Sequence, residues 1–314
     1  MAGAGEVVML SILQAPVRRN PNSRGPMAKE NEIAYLDAWV KSHGDVDSGQ
    51  VLQAVLDKPF TWGGDCGRHF ADIGRIMQLL PATPARILDL GVGSGWTSVM
   101  YARNGYDVFG QDISPSMIAL AEKSLGKHPG LKLRFAVSDY ETLGMPGEFD
   151  AAVFYDSLHH SVDEEAALRA VFAALKPGGI LIALEPGAGH STCEDTLETV
   201  AKYGVTEKDM PPRLIFEAGH KVGFRSGVIY VQPIQPIAAY EQDNPPPAPV
   251  PPPLQPIDRR GKLRRAGSFL MGSWRVLTNP LPVEIAPPPA SAAAEDPTAI
   301  LLRSRNIVTM RKPA

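Results

Sequence analysis

The chain has 314 residues, 44% of them hydrophobic and 21% charged. That suits a globular protein with a sizeable core and excludes a chain that is disordered or collagen-like throughout. Thirty-one Lys and Arg against 34 Asp and Glu leave a formal charge of -3, which argues against a mainly electrostatic nucleic-acid binder, and no nucleic-acid partner is expected. Cys66 and Cys193 stand far apart without CxxC spacing, so neither a disulfide framework nor a cysteine zinc site is supported and no metal is expected.

Near the start, residues 1–27 read as a disordered N-terminus. Its most apolar stretch, Val7 to Leu13, is short and follows Glu6 without a basic segment, so no signal peptide is expected. No uninterrupted apolar run approaches the roughly 18 residues of a membrane helix. A cytoplasmic location follows as the expectation, and Met27, where helical periodicity begins, is a candidate translation start.

Residues 28–84 carry three helical patterns: Ile33, Leu36, Trp39 and Val40; then Val51, Leu52, Val55 and Leu56, stopped by Pro59; then Phe70, Ile73, Met77 and Leu80, stopped by Pro81. From residue 85 to 233 short apolar runs alternate with helical segments. ARILDL is followed by a helix from about Trp96 to Arg103, YDVFGQD by SPSMIALAEKSL, and LKLRFAVSD by FDAAVFYDSL. EEAALRAVFAAL and GGILIALEP come next, then helices near 192–203 and 211–222 and the edge-like strand FRSGVIYVQ. This alternation predicts an α/β fold with a doubly wound parallel sheet. Ten of the 30 prolines fall between Pro233 and Pro256 and six more between Pro280 and Pro297, so residues 234–303 read as a proline-rich insertion or linker. Strand character returns in 304–314, in RNIVTMRK.

Glycine spacing carries the most information. ARILDL runs into GVGSGW, placing Gly91, Gly93 and Gly95 just before a helix, where bare backbone lets a ligand approach the free amides of the helix start. A dinucleotide fingerprint needs Gly or Ala three residues after Gly93, where this chain has Trp96. DLGVGSG, with Asp89 before the first glycine, instead resembles the first motif of class I S-adenosylmethionine (SAM) dependent methyltransferases, of the small-molecule and polysaccharide-cluster type. The likeness extends through GQDIS, SDYETL, FDAAVFYDSLHH and LKPGGILIALEP, in order, over about residues 85 to 232.

The resemblance implies a Rossmann-like sheet of seven strands with an antiparallel last strand, an N-terminal helical lid, and SAM as cofactor. Its motif positions assign cofactor contacts to Asp89, Gly91, Gly93, Gly95, Asp112, Ile113, Ser138, Asp139, Tyr140 and Tyr155. Asp112 would accept the ribose hydroxyls and Asp139 the adenine amino group, while Asp89 would organise the glycine loop and approach the methionine amino group. Asp112 has a second reading as the cap of the helix near Pro115, a role open equally to Ser114.

His159 and His160, after the fourth strand, stand where a general base for an alcohol acceptor is wanted, although the pair can also simply shape the pocket. Glu185, after the fifth strand, is a further catalytic candidate facing the pocket, and His190 follows closely. The strand exit YDSLHH lacks the prolines of amino-methylating nucleic-acid enzymes, so a small-molecule or glycan acceptor is expected, with oxygen as the target. Arg259 to Arg265 include five basic residues that read as a solvated run or a weak membrane-surface contact. The competing functions are a SAM-binding regulatory subunit without activity and, disfavoured by Trp96, an NAD(P)-dependent oxidoreductase.

Overall fold

A computed structural model of the chain describes residues 27–44, 53, 55–60, 65–230 and 301–314. Val7 to Leu13, Val51, Leu52, the proline-rich run and Arg259 to Arg265 lie outside the described residues. Two helices come first, α1 (Ala28–Gly44) and α2 (Asp65–Leu79). The alternating part then runs β1 (Arg86–Leu90), α3 (Trp96–Arg103), β2 (Asp107–Asp112), α4 (Pro115–Gly126), β3 (Leu133–Val137), β4 (Phe149–Tyr155), α5 (Glu164–Ala174) and β5 (Leu175–Leu184). It ends with α6 (Glu194–Tyr203), α7 (Pro212–Val222), β6 (Ser226–Tyr230) and β7 (Ile307–Arg311).

The seven strands form one sheet in the order β3-β2-β1-β4-β5-β7-β6. The first five are parallel, and β7 lies between β5 and β6, antiparallel to both. β1 and β4 are central and buried on both faces, which is why RILDL and FDAAVFY are nearly continuous apolar runs. Successive residues point to opposite sides. Leu88, Leu90, Phe154, Leu181, Val308 and Met310 pack beneath α5 and α7, whereas Ile87, Val153, Ile182 and Ile307 pack beneath α2 and α3.

One expectation about a face is corrected. On α2 the buried stripe is His69, Ile73, Ile76 and, just beyond the helix, Leu80. Phe70 lies outside it at 42% exposure, edge-on to Phe60. On β6 the apolar alternants Val228 and Tyr230 face outward, because Gly227 and Ile229 occupy the packed side against α7 and its neighbours.

α1 lies over α4 and α6: Tyr35 packs on Tyr203, and the Asp37 carboxylate accepts hydrogen bonds from Ser114 and Ser116. Ser114 also caps α4 by accepting from the Met117 amide, with Pro115 in the first helical position. The cap of this helix is therefore Ser114, which frees Asp112 from that role. Among the described residues no helix is long and apolar enough to cross a membrane.

β7 binds the far side of the sheet together, since Ile307, Val308 and Met310 have no exposed surface. Met310→Ala should lower the unfolding free energy by about 2–5 kcal/mol in urea titration. Truncation after residue 303 removes all three side chains, each contributing roughly 1.5–3 kcal/mol, a loss comparable with a typical total stability of roughly 5–15 kcal/mol. It should yield aggregated protein, and a truncated chain that melts like the full one would make β7 dispensable.

Candidate active site

The chain leaves β1 through Gly91, Gly93 and Gly95, with φ of 67°, 53° and 76°, and enters α3. The three glycines serve different ends. A Cβ on Gly91 would lie 2.6 Å from that of Ser157, and one on Gly95 would lie 2.6 Å from the Phe135 ring, so both permit close packing of the loop. A Cβ on Gly93 would meet nothing within 4 Å. Gly93 and Gly91 border a cavity, whereas Gly95 does not. The cavity lies beyond the carboxyl ends of the parallel strands, where open α/β sheets hold ligands.

Asp112, at the end of β2, lines this cavity together with Ile113. Its Oδ2 accepts from the Gly93 amide at 2.9 Å and its Oδ1 from the Ser114 amide at 2.9 Å, so one carboxylate fixes both the glycine loop and the start of α4. Each oxygen retains a lone pair for a diol, and burial raises the carboxyl above its usual range. Asp139 and Tyr140 also line the cavity. Asp139 is engaged by Lys29 at 2.5 Å and by the Glu141 amide at 2.8 Å, and the Tyr140 hydroxyl donates to the Ser157 carbonyl.

Asp89, Ser138 and Glu185 do not line the cavity. Asp89 is 1% exposed and accepts from Thr97 Oγ1 and Ser98 Oγ at 2.7 and 2.6 Å, tying β1 to α3, with burial pushing it up to about 6. Ser138 Oγ turns to Gln111 at 3.3 Å. Glu185 is covered by the loop after β4, accepting from the amides of Ser157, Leu158 and His159 and bonding His159 Nδ1 at 2.8 Å. Burial and nearby Asp156 raise the Glu185 carboxyl to about 7 despite those three amides.

His159 and His160 both line the cavity, with ring centroids 4.0 Å apart and planes tilted by 39°. His159 is 2% exposed, and burial with the neighbouring His160 holds it well below the usual histidine range. With Nδ1 committed to Glu185, its Nε2 is buried without a hydrogen-bond partner, 3.5 Å from Glu207 Oε2. His160 bonds the Thr206 carbonyl through Nδ1 at 2.9 Å. Burial opposes its charge, but Glu207 and Glu32 hold it up to about 9. His190 bonds Glu207 at 2.8 Å and does not line the cavity.

A second polar group closes the other wall. Tyr155 lines the cavity while its hydroxyl donates to Asp72 at 2.9 Å and meets His69 Nδ1 at 3.1 Å. Asp156 follows at φ 49°, in the left-handed region that a non-glycine residue rarely adopts, and Arg305 holds its carboxylate at 2.8 Å while also reaching Asp72.

Sequence reasoning missed Lys29, Glu32, Leu36, Trp96, Asp156 and Glu207, all of which border the cavity. Glu32 carried a readable signal: Ala28, Glu32 and Leu36 recur every fourth residue on the inward stripe of α1, where a carboxylate is out of place. Glu207 lies in the irregular segment between α6 and α7, which has no periodicity to read.

Comparison with known proteins agrees with this geometry. Residues 88–183 match the Methyltransferase domain family. Demethylmenaquinone methyltransferase of Thermus thermophilus is 37% identical over 136 residues, which is 42% of this chain and 59% of that protein. Ubiquinone biosynthesis O-methyltransferase of Xanthomonas euvesicatoria is 35% identical over 99 residues, 31% of this chain and 41% of that protein. This chain thus spans about half the length of these relatives. Among solved structures, phosphoethanolamine N-methyltransferase 2 of Haemonchus contortus, in complex with SAM, superposes with a TM-score of 0.53 at 18% identity, covering 89% of this chain and 60% of that one. Glycine loop, strand-end acid and seven-stranded order agree with the family match: residues 88–183 carry a methyltransferase domain, in a sheet that shares the fold of the SAM-bound Haemonchus enzyme.

Proposed function

We propose that this chain transfers a methyl group from SAM to a hydroxyl oxygen of a small molecule. When bound, SAM supplies an electrophilic methyl on a sulfonium. The cavity suits it: the open space in front of Gly93 is a cradle that any side chain would fill, and the Asp112 carboxylate borders the same space. In this reading Asp112 holds the ribose diol, Asp139 and Tyr140 flank the adenine, and Trp96, Met117, Val55 and Leu36 exclude water. Dry walls matter because positioning donor and acceptor in line contributes most to such a displacement.

One observation carries the choice of oxygen. His159 presents a buried nitrogen without a hydrogen-bond partner beside the cavity, with its other nitrogen fixed by Glu185. Hydroxyl acceptors need such a group and pre-formed nucleophiles do not. His160, carrying charge up to about 9, is unsuited to take a proton and instead balances Glu207 and Glu32. Glu185 acts as a positioning residue through His159. The O-methyltransferase name of the Xanthomonas relative supports the same acceptor atom.

The glycine assignments separate binding from folding. Gly93→Ala should keep a cooperative melt, losing about 1–2 kcal/mol for its left-handed backbone, yet abolish SAM binding in calorimetry. Gly95→Ala should chiefly destabilise. Normal SAM affinity in Gly93→Ala would remove the cofactor from this loop.

Asp112→Ala should weaken SAM by about 10- to 100-fold, since it removes a charge-assisted diol contact and also releases the Gly93 amide. Unchanged affinity in a folded variant would contradict the assignment. For the acceptor side, transfer of labelled methyl into a panel of phenols, quinols and saccharides tests the activity. His159→Ala should bind SAM normally but lose roughly 100-fold or more in turnover. Full turnover in that variant would leave the oxygen reading without its activating group.

A further inference from the structure

We propose that His159, His160 and Glu207 form a binding site for a divalent transition cation, with zinc the best-matched ion, facing the acceptor side of the cavity. One ring nitrogen of each histidine and one oxygen of Glu207 all lie within 4.8 Å of one another. Tetrahedral bonds of about 2.0–2.1 Å set donor atoms roughly 3.4 Å apart. The 3.5 Å between His159 Nε2 and Glu207 Oε2 is already close to that spacing. Two imidazoles and one carboxylate suit zinc, iron or manganese rather than the oxygen-seeking magnesium.

Three further features separate this cluster from an ordinary group of polar side chains. The His159 nitrogen that faces Glu207 is buried and without a hydrogen-bond partner, a costly arrangement unless something occupies the gap. Two of the three residues are also oriented by a partner of the kind that surrounds bound metals: Glu185 on His159 Nδ1 and His190 on Glu207. Finally, Glu32 Oε2 is a buried oxygen without a hydrogen-bond partner beside the same group, with Oε1 3.8 Å from His160. Three buried carboxylates, Glu32, Glu185 and Glu207, therefore surround two rings, a donor set whose negative charge suits a dication.

The remaining coordination position opens into the cavity that His159 and His160 line, so the ligand class is a small molecule with an oxygen donor, such as a phenol or an enol. With the cation in place His159 Nε2 would serve as its ligand and the cation, not the imidazole, would lower the pKa of the acceptor hydroxyl; this last step rests on the methyl-transfer reading, whereas the cation site does not. The test uses the full chain with Cys66→Ser and Cys193→Ser, which removes the free thiols as zinc ligands. After stripping with a chelator and dialysis against buffered zinc, metal content is measured by mass spectrometry and affinity by calorimetry. About one equivalent should bind. Glu207→Gln and His159→Ala should each weaken binding by about 100-fold or more, and His190→Ala by about 10- to 100-fold. Cobalt in place of zinc should give the visible bands of a nitrogen–oxygen site in the parent chain, a readout that does not depend on the variants folding. Uptake below about a tenth of an equivalent, or uptake unchanged by Glu207→Gln and His159→Ala, overturns the site. SAM calorimetry on the same samples separates the two readings: SAM binding without zinc uptake sinks only the cation, and absence of both sinks the methyltransferase assignment as well.

Discussion

The Glu185 carboxylate holds the working end of the sheet together. It sits at the end of β5, almost without solvent contact, and takes three consecutive backbone amides and one imidazole from the turn that leaves β4. A buried carboxylate is tolerable only when its oxygens are satisfied, and here the donors of residues 157 to 159 satisfy them. The turn is thereby fixed. With it come the Ser157 hydroxyl, which donates to the Leu90 carbonyl, and the close approach of Ser157 to Gly91. One side chain thus sets both the direction of the His159 ring and the path of the glycine loop across the central strands.

The two walls of the cavity use opposite electrostatic strategies. On the His159 side, several carboxylates crowd around histidines and the local field favours positive charge. On the Tyr155 side, burial and the cations Lys58, Arg68 and Arg305 push His69 down to about 2, so that ring is neutral and acts through hydrogen bonding alone. Asp156 stands between them. Burial would raise it, but Arg305, Arg68 and His159 keep it ionised and below the usual carboxylate range.

Much of the fold was legible because its signals are local. Continuous apolar strands, Ser114 with Pro115 at a helix start and glycines between strand and helix each follow from backbone chemistry at a few neighbouring residues. The antiparallel insertion of RNIVTMRK could be anticipated only through the family resemblance. The site was half legible. Asp112, Gly93, His159 and His160 sit at strand ends, where topology dictates function, but Glu32 and Glu207 arrive from outside the sheet. Which way a strand-end acid points is not encoded locally either: Asp89 and Glu185 turn inward to hydroxyls and amides, while Asp112 borders the cavity. Burial of the first two depends on Thr97, Ser98 and the β4 turn, partners whose proximity exists only once the sheet is formed.

The separation of β6 from β7 bears on how the protein is made. β6 ends at Tyr230 and β7 begins at Ile307, yet they are neighbours in the sheet. Chains are synthesised at about 5–20 residues per second, so a ribosome needs roughly 4–15 s to pass from one to the other. Throughout that interval the parallel strands, the glycine loop and α7 are already made, while β5 offers an open edge and α7 an uncovered apolar face. Arg305, which steadies Asp156 and Asp72, is also still missing. The nascent chain is therefore a nearly finished sheet with one seam open, and a chaperone or a second nascent copy has those seconds in which to fill the place that β7 later takes.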